Sequence, residues 1–225
     1  MVKTLLTKAR DARWVWNLFG PIYNRQIYNA ICELYEDMAR DEVFAGPTKA
    51  LDVGTGPGYL TLLLATQHPA ASYTGIDFSL TQVWAAEKLR QKKDIHNCIY
   101  QQGDAMNIPF ANDCFDVVFS VGSIKHWPDP ERGMAEIRRV LAPGQWAVIS
   151  ETDKEASSKD IRQFAKRFSA WFLWDRLLVW GLKHIIFGRS YSQQEIAHFA
   201  KKAGFRVIKA ERHAHCPYII VKAQK

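Results

Sequence analysis

Apolar positions along the chain are grouped into short blocks, each closed by Gly, Asp or Ser, with longer amphipathic stretches between them. Five blocks rich in Val, Ile and Phe read as strands: Lys49 to Gly54, Ser72 to Asp77, Cys98 to Gln102, Phe115 to Val121 and Gln145 to Glu151. Helical spacing fills Tyr59 to Gln67, Leu80 to Lys92 and Pro130 to Leu141, the last stopped by Ala142-Pro143-Gly144. Alternation of this kind predicts parallel strands joined by right-handed crossovers. After a further helix, Gln193 to Ala203, closed by Gly204, the blocks Phe205 to Ala210 and Tyr218 to Ala223 follow with no helix between them. They should pair as a hairpin, which gives an α/β fold: a doubly wound, seven-stranded, mostly parallel sheet with an antiparallel edge and an antiparallel last strand. We expect one domain over 1–225, with an aromatic helical lead-in over 1–47 (Trp14 to Met38) and a helical cap insertion over 154–192.

The most informative stretch is Ala50-Leu-Asp-Val-Gly-Thr-Gly-Pro-Gly-Tyr59, a buried strand running through glycines into a helix. Gly54, Gly56 and Gly58 tolerate positive φ and let the backbone come close to a nucleotide-type ligand at a helix N-terminus. Asp77 ends the second strand, where a carboxylate accepts from both ribose hydroxyls. The glycines fall as GxGxG rather than GxGxxG, and Pro57 removes an amide where a pyrophosphate needs donors. A carboxylate on Asp52 at the mouth of the loop repels a pyrophosphate and suits an ammonium, directly or through water. After the third strand, Asp104 is placed to accept from an adenine amine, with Phe78 and Met106 on either side of the ring.

These residues lie in motifs that resemble those of class I S-adenosylmethionine-dependent methyltransferases. LDVGTGPGYL, YTGIDFS, GDAMNIPF, FDVVFSVGSIKHWPDP and a helix ending RRVLAPG are similar, in that order, to the small-molecule branch that includes ubiquinone and menaquinone methyltransferases. The resemblance runs from about Lys49 to Glu151 and implies a Rossmann-like methyltransferase fold. It also implies S-adenosyl-L-methionine as cofactor, leaving as S-adenosyl-L-homocysteine, held by Asp52, Gly54, Gly56, Asp77, Phe78, Asp104, Ala105 and Ser120. Thr55 and Met106 are counted with them. Gly144 followed by Gln145 departs from the family's double glycine, and Tyr23-Asn24 in the lead-in departs from its Tyr-Asp.

Methyl transfer from a sulfonium is an in-line displacement that needs alignment more than acid–base power. Where the acceptor must lose a proton, His126 in Ser123-Ile-Lys-His-Trp127 stands beyond the fourth strand as candidate base, the alternative being a loop histidine that only packs. Lys125 is expected to face solvent. Trp127 forms an apolar wall or anchors its loop, and Tyr23 and Trp171 complete a candidate substrate pocket with His126. His213 and His215 fall on one side of a strand, yet no third ligand accompanies them, so no metal site is assigned.

Charge modifies this picture only locally. The net charge of +7 divides into −1 over residues 1–150 and +8 over 151–225. That excess reads as a solvated basic face or as a surface for an anionic partner. From Phe168 to Phe187 the chain has one membrane-spanning length, but Asp175 and Arg176 near its middle each cost roughly 2.5–3.5 kcal/mol at a bilayer centre. A cap over the substrate mouth is expected, with peripheral membrane contact through 162–187 compatible with it. Met1 to Arg13 carries no secretory signal pattern and the four cysteines form no CxxC pair, so a cytoplasmic protein with reduced thiols is expected. The function these readings support is methyl transfer to a small, apolar or aromatic acceptor. RNA or protein methylation ranks below it, because no NPPY-like tetrad ends the fourth strand. A non-catalytic module of the same fold, docked on a membrane or partner, is the remaining alternative.

Overall fold

The computed structural model describes residues 28–46, 48–167 and 189–225. Its centre is a seven-stranded sheet of β1 (Lys49–Val53), β2 (Ser72–Asp77), β3 (Cys98–Gln102), β4 (Phe115–Val121), β5 (Leu141–Thr152), β6 (Val207–Arg212) and β7 (Tyr218–Gln224), in the order β3-β2-β1-β4-β5-β7-β6. The pairs β1–β2, β1–β4, β2–β3 and β4–β5 are parallel, while β7 runs antiparallel to both β5 and β6. The hairpin and the antiparallel last strand are as expected. The hairpin, however, inserts β7 inside β6, so β6 forms the outer edge; β7 carries the more continuous apolar run, Tyr-Ile-Ile-Val, and takes the doubly covered position.

The helices are α1 (28–39), α2 (Tyr59–Gln67), α3 (Leu80–Lys92), α4 (Pro130–Val140), α5 (Ser158–Ala165) and α6 (Gln193–Lys202). Their starts follow local chemistry. Asp129 accepts from the amide of Arg132 ahead of Pro130 at the first helical position, and Ser157/Asp160 and Ser192/Glu195 form capping boxes. Helix α1 lies in the described part of the lead-in, and α5 in that of the cap insertion. α1, α2 and α5 pack on one face of the sheet through Leu34, Leu64, Ile161 and Phe164. On the other face, α4 and α6 bury Met134, Ile137, Val140, Ile196 and Ala200.

Helix α4 ends at Val140, one residue before the expected Leu141. Leu141 already pairs with Phe115, and the Ala142-Pro143-Gly144 segment lies within β5 at a register shift, with Gly144 at φ +77°. The paired arginines of RRVLAPG act as struts. Arg138 Nε donates to the Gly204 carbonyl at 3.1 Å, and Arg139 donates to the carbonyls of Phe110 and Ile108 at 2.7 and 2.8 Å. The charge asymmetry is also resolved here. Arg167, Lys202, Lys222 and Lys225, all from the basic last third, pair with Glu33, Glu131, Asp41 and Asp113 of the first two thirds. A good part of the basic excess is thus spent inside the molecule.

Candidate functional site

Order reverses along the sheet at β1: the chain winds outward through β2 and β3, then restarts at β4 on the other side. A crevice opens outside the strand ends at such a switch point, and a cavity of about 290 Å³ occupies it.

Backbone hydrogen bonds shape one end of this cavity. Gly54 N and Thr55 N donate to the Ile76 carbonyl at 2.8 and 3.0 Å, hooking the glycine turn onto β2. Asp77 completes the join: its Oδ2 accepts from Gly56 N and its Oδ1 from Ser79 N, both at 2.9 Å. Burial raises the Asp77 carboxyl from its ordinary value, against the pull of the two amides. The glycines are required for separate reasons. A Cβ on Gly54 would lie 2.0 Å from Ser123 Oγ, and one on Gly58 would lie 2.4 Å from the Tyr100 hydroxyl. A Cβ on Gly56 would meet nothing within 4 Å, so there only the φ of +54° calls for glycine and the space in front is open.

Of the residues assigned to cofactor binding, Gly54, Thr55, Gly56, Asp77, Phe78, Asp104, Ala105 and Met106 line this cavity together. Asp104 is held by a tight turn in which its Oδ1 accepts from Met106 N at 2.9 Å. Asp52 and Ser120 lie beneath. Asp52 is 4% exposed, and its Oδ2 accepts from the hydroxyls of Thr55 at 2.8 Å and Thr61 at 2.6 Å. Rather than standing at the loop's mouth, it braces the loop from below, because the inward face of β1 is already core. Ser120 is fully buried and donates to the Val53 carbonyl at 2.7 Å, tying β4 to β1.

At the other end His126 and Trp127 line the cavity, carried by a short 3-10 turn, Ile124–His126. Trp127 is both wall and anchor: Nε1 donates to Ser123 Oγ at 2.9 Å, and the indole lies over Gly133, where a Cβ would come within 2.4 Å of the ring. Lys125 overturns its expectation. Its side chain is 1% exposed and donates to Glu151 Oε1 at 2.5 Å, while its amide reaches Oε2 at 3.3 Å. Glu151, at the end of β5, also accepts from the amide and hydroxyl of Thr152 at 2.7 and 2.9 Å. Burial opposes ionisation of Glu151, but the ammonium of Lys125 outweighs it and holds the carboxyl below its usual range. A charge pair of this kind at the root of a turn is invisible to local pattern, where lysine defaults to the surface.

Sequence reasoning also missed Ile31 and Tyr35 of α1, Tyr59 of α2, and Tyr218 at the start of β7, all of which line the cavity. Tyr28 backs Tyr59 from outside, its ring centroid 4.4 Å from that of Tyr59. The density of aromatics in the lead-in was the available signal; nothing local marks Tyr218. Tyr23 and Trp171 lie outside the described residues. His213 and His215 sit in a bend after β6, not in a strand. His213 Nδ1 accepts from the amides of His215 and Cys216 while Nε2 faces Asp37 Oδ2 at 3.0 Å, so the imidazole staples α1 to the bend. Arg167 does the same from the turn after α5, donating to the Ala30 carbonyl at 3.1 Å and the His215 carbonyl at 3.0 Å. Among the described residues no helix is long and apolar enough to cross a membrane, and no group of three or more His, Cys, Asp or Glu gathers as a metal site.

Comparison with known proteins bears on this geometry. Residues 51–149 match the family model described as a methyltransferase domain. The chain is 29% identical over 210 residues to 2-methyl-6-phytyl-1,4-hydroquinone methyltransferase 2, chloroplastic, of Oryza sativa subsp. japonica, covering 90% of this chain and 53% of that protein. It is 31% identical over 105 residues to demethylmenaquinone methyltransferase of Thermus thermophilus, covering 47% of each. The chain thus spans about half the length of these curated relatives. A crystal structure of a SAM-dependent methyltransferase from Aquifex aeolicus superposes with a TM-score of 0.65 at 19% identity, covering 85% of this chain and 87% of that one, a likeness of fold.

Proposed function

Because residues 51–149 match the family model of a methyltransferase domain, we propose that this chain is an S-adenosylmethionine-dependent enzyme that methylates a small lipophilic acceptor of the quinol type. One observation carries the reading: a single cavity joins an acidic, backbone-lined end to an apolar, aromatic one. Gly54, Gly56, Asp77 and Asp104 form the first end, and Ile31, Tyr35, Val121, Trp127 and Tyr218 the second, with His126 beside it. The acidic end fits the cofactor. Among the described lining residues there is no Lys or Arg to pair with a phosphate, and Gly56 leaves open space before its backbone.

In this reading Asp77 and Asp104 hold the cofactor's hydroxyl and amine groups, the glycine turn receives its amino-acid tail, and Phe78 and Met106 bracket its base. Bound there, S-adenosylmethionine supplies an electrophilic methyl group and leaves as the neutral thioether. The protein's remaining task is to aim the acceptor and keep water out, which supplies on the order of 7–11 kcal/mol in favourable cases. The apolar end does this with indole and phenol faces that match a prenylated ring. His126 takes the proton that the acceptor surrenders as its new bond to methyl forms. Peripheral contact with a bilayer through 162–187 belongs to the same proposal, since a lipophilic acceptor resides there.

The test is transfer of labelled methyl to prenylated hydroquinones in detergent micelles. Label in the quinol fraction, lowered 10²–10⁴-fold in H126A with cofactor binding intact, is the expected result. Label in RNA or protein and none in any lipid fraction would overturn the acceptor class.

A further inference from the structure

Ser123 stands where the two ends of the cavity meet. It opens the Ile124–His126 turn from the position that usually caps a helix, yet its side chain accepts from none of the turn's amides. The residue lines the cavity instead. On one side its Oγ accepts from Trp127 Nε1 at 2.9 Å, and on the other it fills the space that Gly54 leaves, where a Cβ would lie 2.0 Å away. The Ser123 carbonyl accepts from His126 N at 2.9 Å, so one residue holds both His126 and Trp127 against the glycine turn. A serine hydroxyl accepts and donates, whereas an indole N–H donates alone. The bond to Trp127 therefore uses a lone pair of Oγ, and among the described residues no hydrogen bond uses the hydroxyl's own proton. That proton is left for a ligand, and the indole's pull on the oxygen makes it the stronger donor.

We propose that Ser123 binds the acceptor's ring oxygen and favours its ionised form, with the Trp127 indole polarising the donor. The inference rests on the function proposed above and names the group that recognises the acceptor's hydroxyl. A quinol that offers a ring carbon to a methyl donor must bring that carbon to the meeting point of the two ends, and the oxygen that activates it stands one bond away. The quinol O–H bond breaks and its proton passes to His126. Ser123 keeps its own proton and donates it, as a hydrogen bond, to the new phenolate. A hydrogen bond to the charged form of a group lowers its pKa, and an unassisted phenol ionises only at about 10. At neutral pH the hydroxyl thus raises the share of bound acceptor that is ready to react. A ring without a hydroxyl gains nothing from it.

The test uses the full chain loaded with S-adenosylhomocysteine and 1-naphthol, a phenol whose absorbance reports ionisation. S123A is expected to hold about tenfold less of its bound naphthol as the anion at a given pH, while affinity for S-adenosylhomocysteine stays within about twofold. S123C keeps the volume but offers only a weak donor, so it should behave like S123A. In turnover with a prenylated hydroquinone, kcat of S123A should be about tenfold low near pH 7 and recover toward the parent as pH rises through the acceptor's own ionisation. A side chain that merely propped Trp127 would lower the rate equally at every pH. That result, or unchanged ionisation of bound naphthol, overturns the inference and leaves the proposed function standing. A larger loss of affinity for S-adenosylhomocysteine than for naphthol assigns the hydroxyl to the cofactor and overturns it too. A parent chain that labels no quinol and binds no naphthol removes both.

Discussion

The two ends of the cavity are built by opposite means. The donor end is local: Gly54, Thr55, Gly56 and Asp77 come from one strand-turn-helix and the strand beside it, and main-chain hydrogen bonds fix it. The acceptor end is assembled at long range, from α1, the Ile124–His126 turn and the start of β7, and side chains fix it. A ligand shared by many proteins is held by backbone that tolerates sequence change. A ligand particular to one is held by replaceable side chains, whose placement then depends on distant anchors such as Glu151.

Breaking the acceptor end at its root should have the largest effect. Glu151→Ala strands the ammonium of Lys125 in the core and is expected to lower stability by about 3–5 kcal/mol in denaturant unfolding. The paired change E151L/K125M, apolar and of similar volume, should recover most of that loss. If E151A alone unfolds like the parent, the pair is not the anchor. Glu151's contribution also has a sign in pH: its folded carboxyl lies below the unfolded value, so the stability is present at neutral pH and is lost as pH falls through the carboxylate range. Asp52 runs the other way, its share being full below the unfolded value near 3.8 and lost as pH rises through about 7.

The donor end breaks more selectively. Gly54→Ala puts a Cβ into Ser123 Oγ at a φ of +75°, and strain with overpacking of about 1–3 kcal/mol should weaken cofactor affinity up to about a hundredfold in equilibrium titration. Unchanged affinity would show that the turn adapts. Gly133→Ala should sharpen the comparison with the smallest effect. It crowds Trp127 from behind, on the acceptor wall, so quinol KM should rise about tenfold while cofactor affinity stays within twofold; an equal loss in both would erase the distinction between the two ends.

What the sequence disclosed follows the same division. The strands, the glycine turn and the acids at Asp77 and Asp104 were legible because each is a local pattern of period, turn chemistry and strand end. Asp52 was legible as an acid but not as a buried one, since one residue's shift along β1 decides which side of the sheet it faces. Lys125 was misread because only the end of β5, folded beside it, turns a surface residue into a core one. Tyr218 and Tyr35 reach the cavity through a strand inserted late and a helix laid across it, juxtapositions no local window contains.

The central claim is that the cofactor lies along the glycine turn with its sugar against Asp77. A crystal structure of the chain with S-adenosylhomocysteine tests it most directly. The account predicts density running from Gly54 and Gly56 past Asp77 to the Phe78 and Met106 side chains, with His126 and Trp127 bounding the vacant space beyond the thioether. Density for the nucleoside anywhere else, or a pyrophosphate-containing molecule in that crevice, would contradict it.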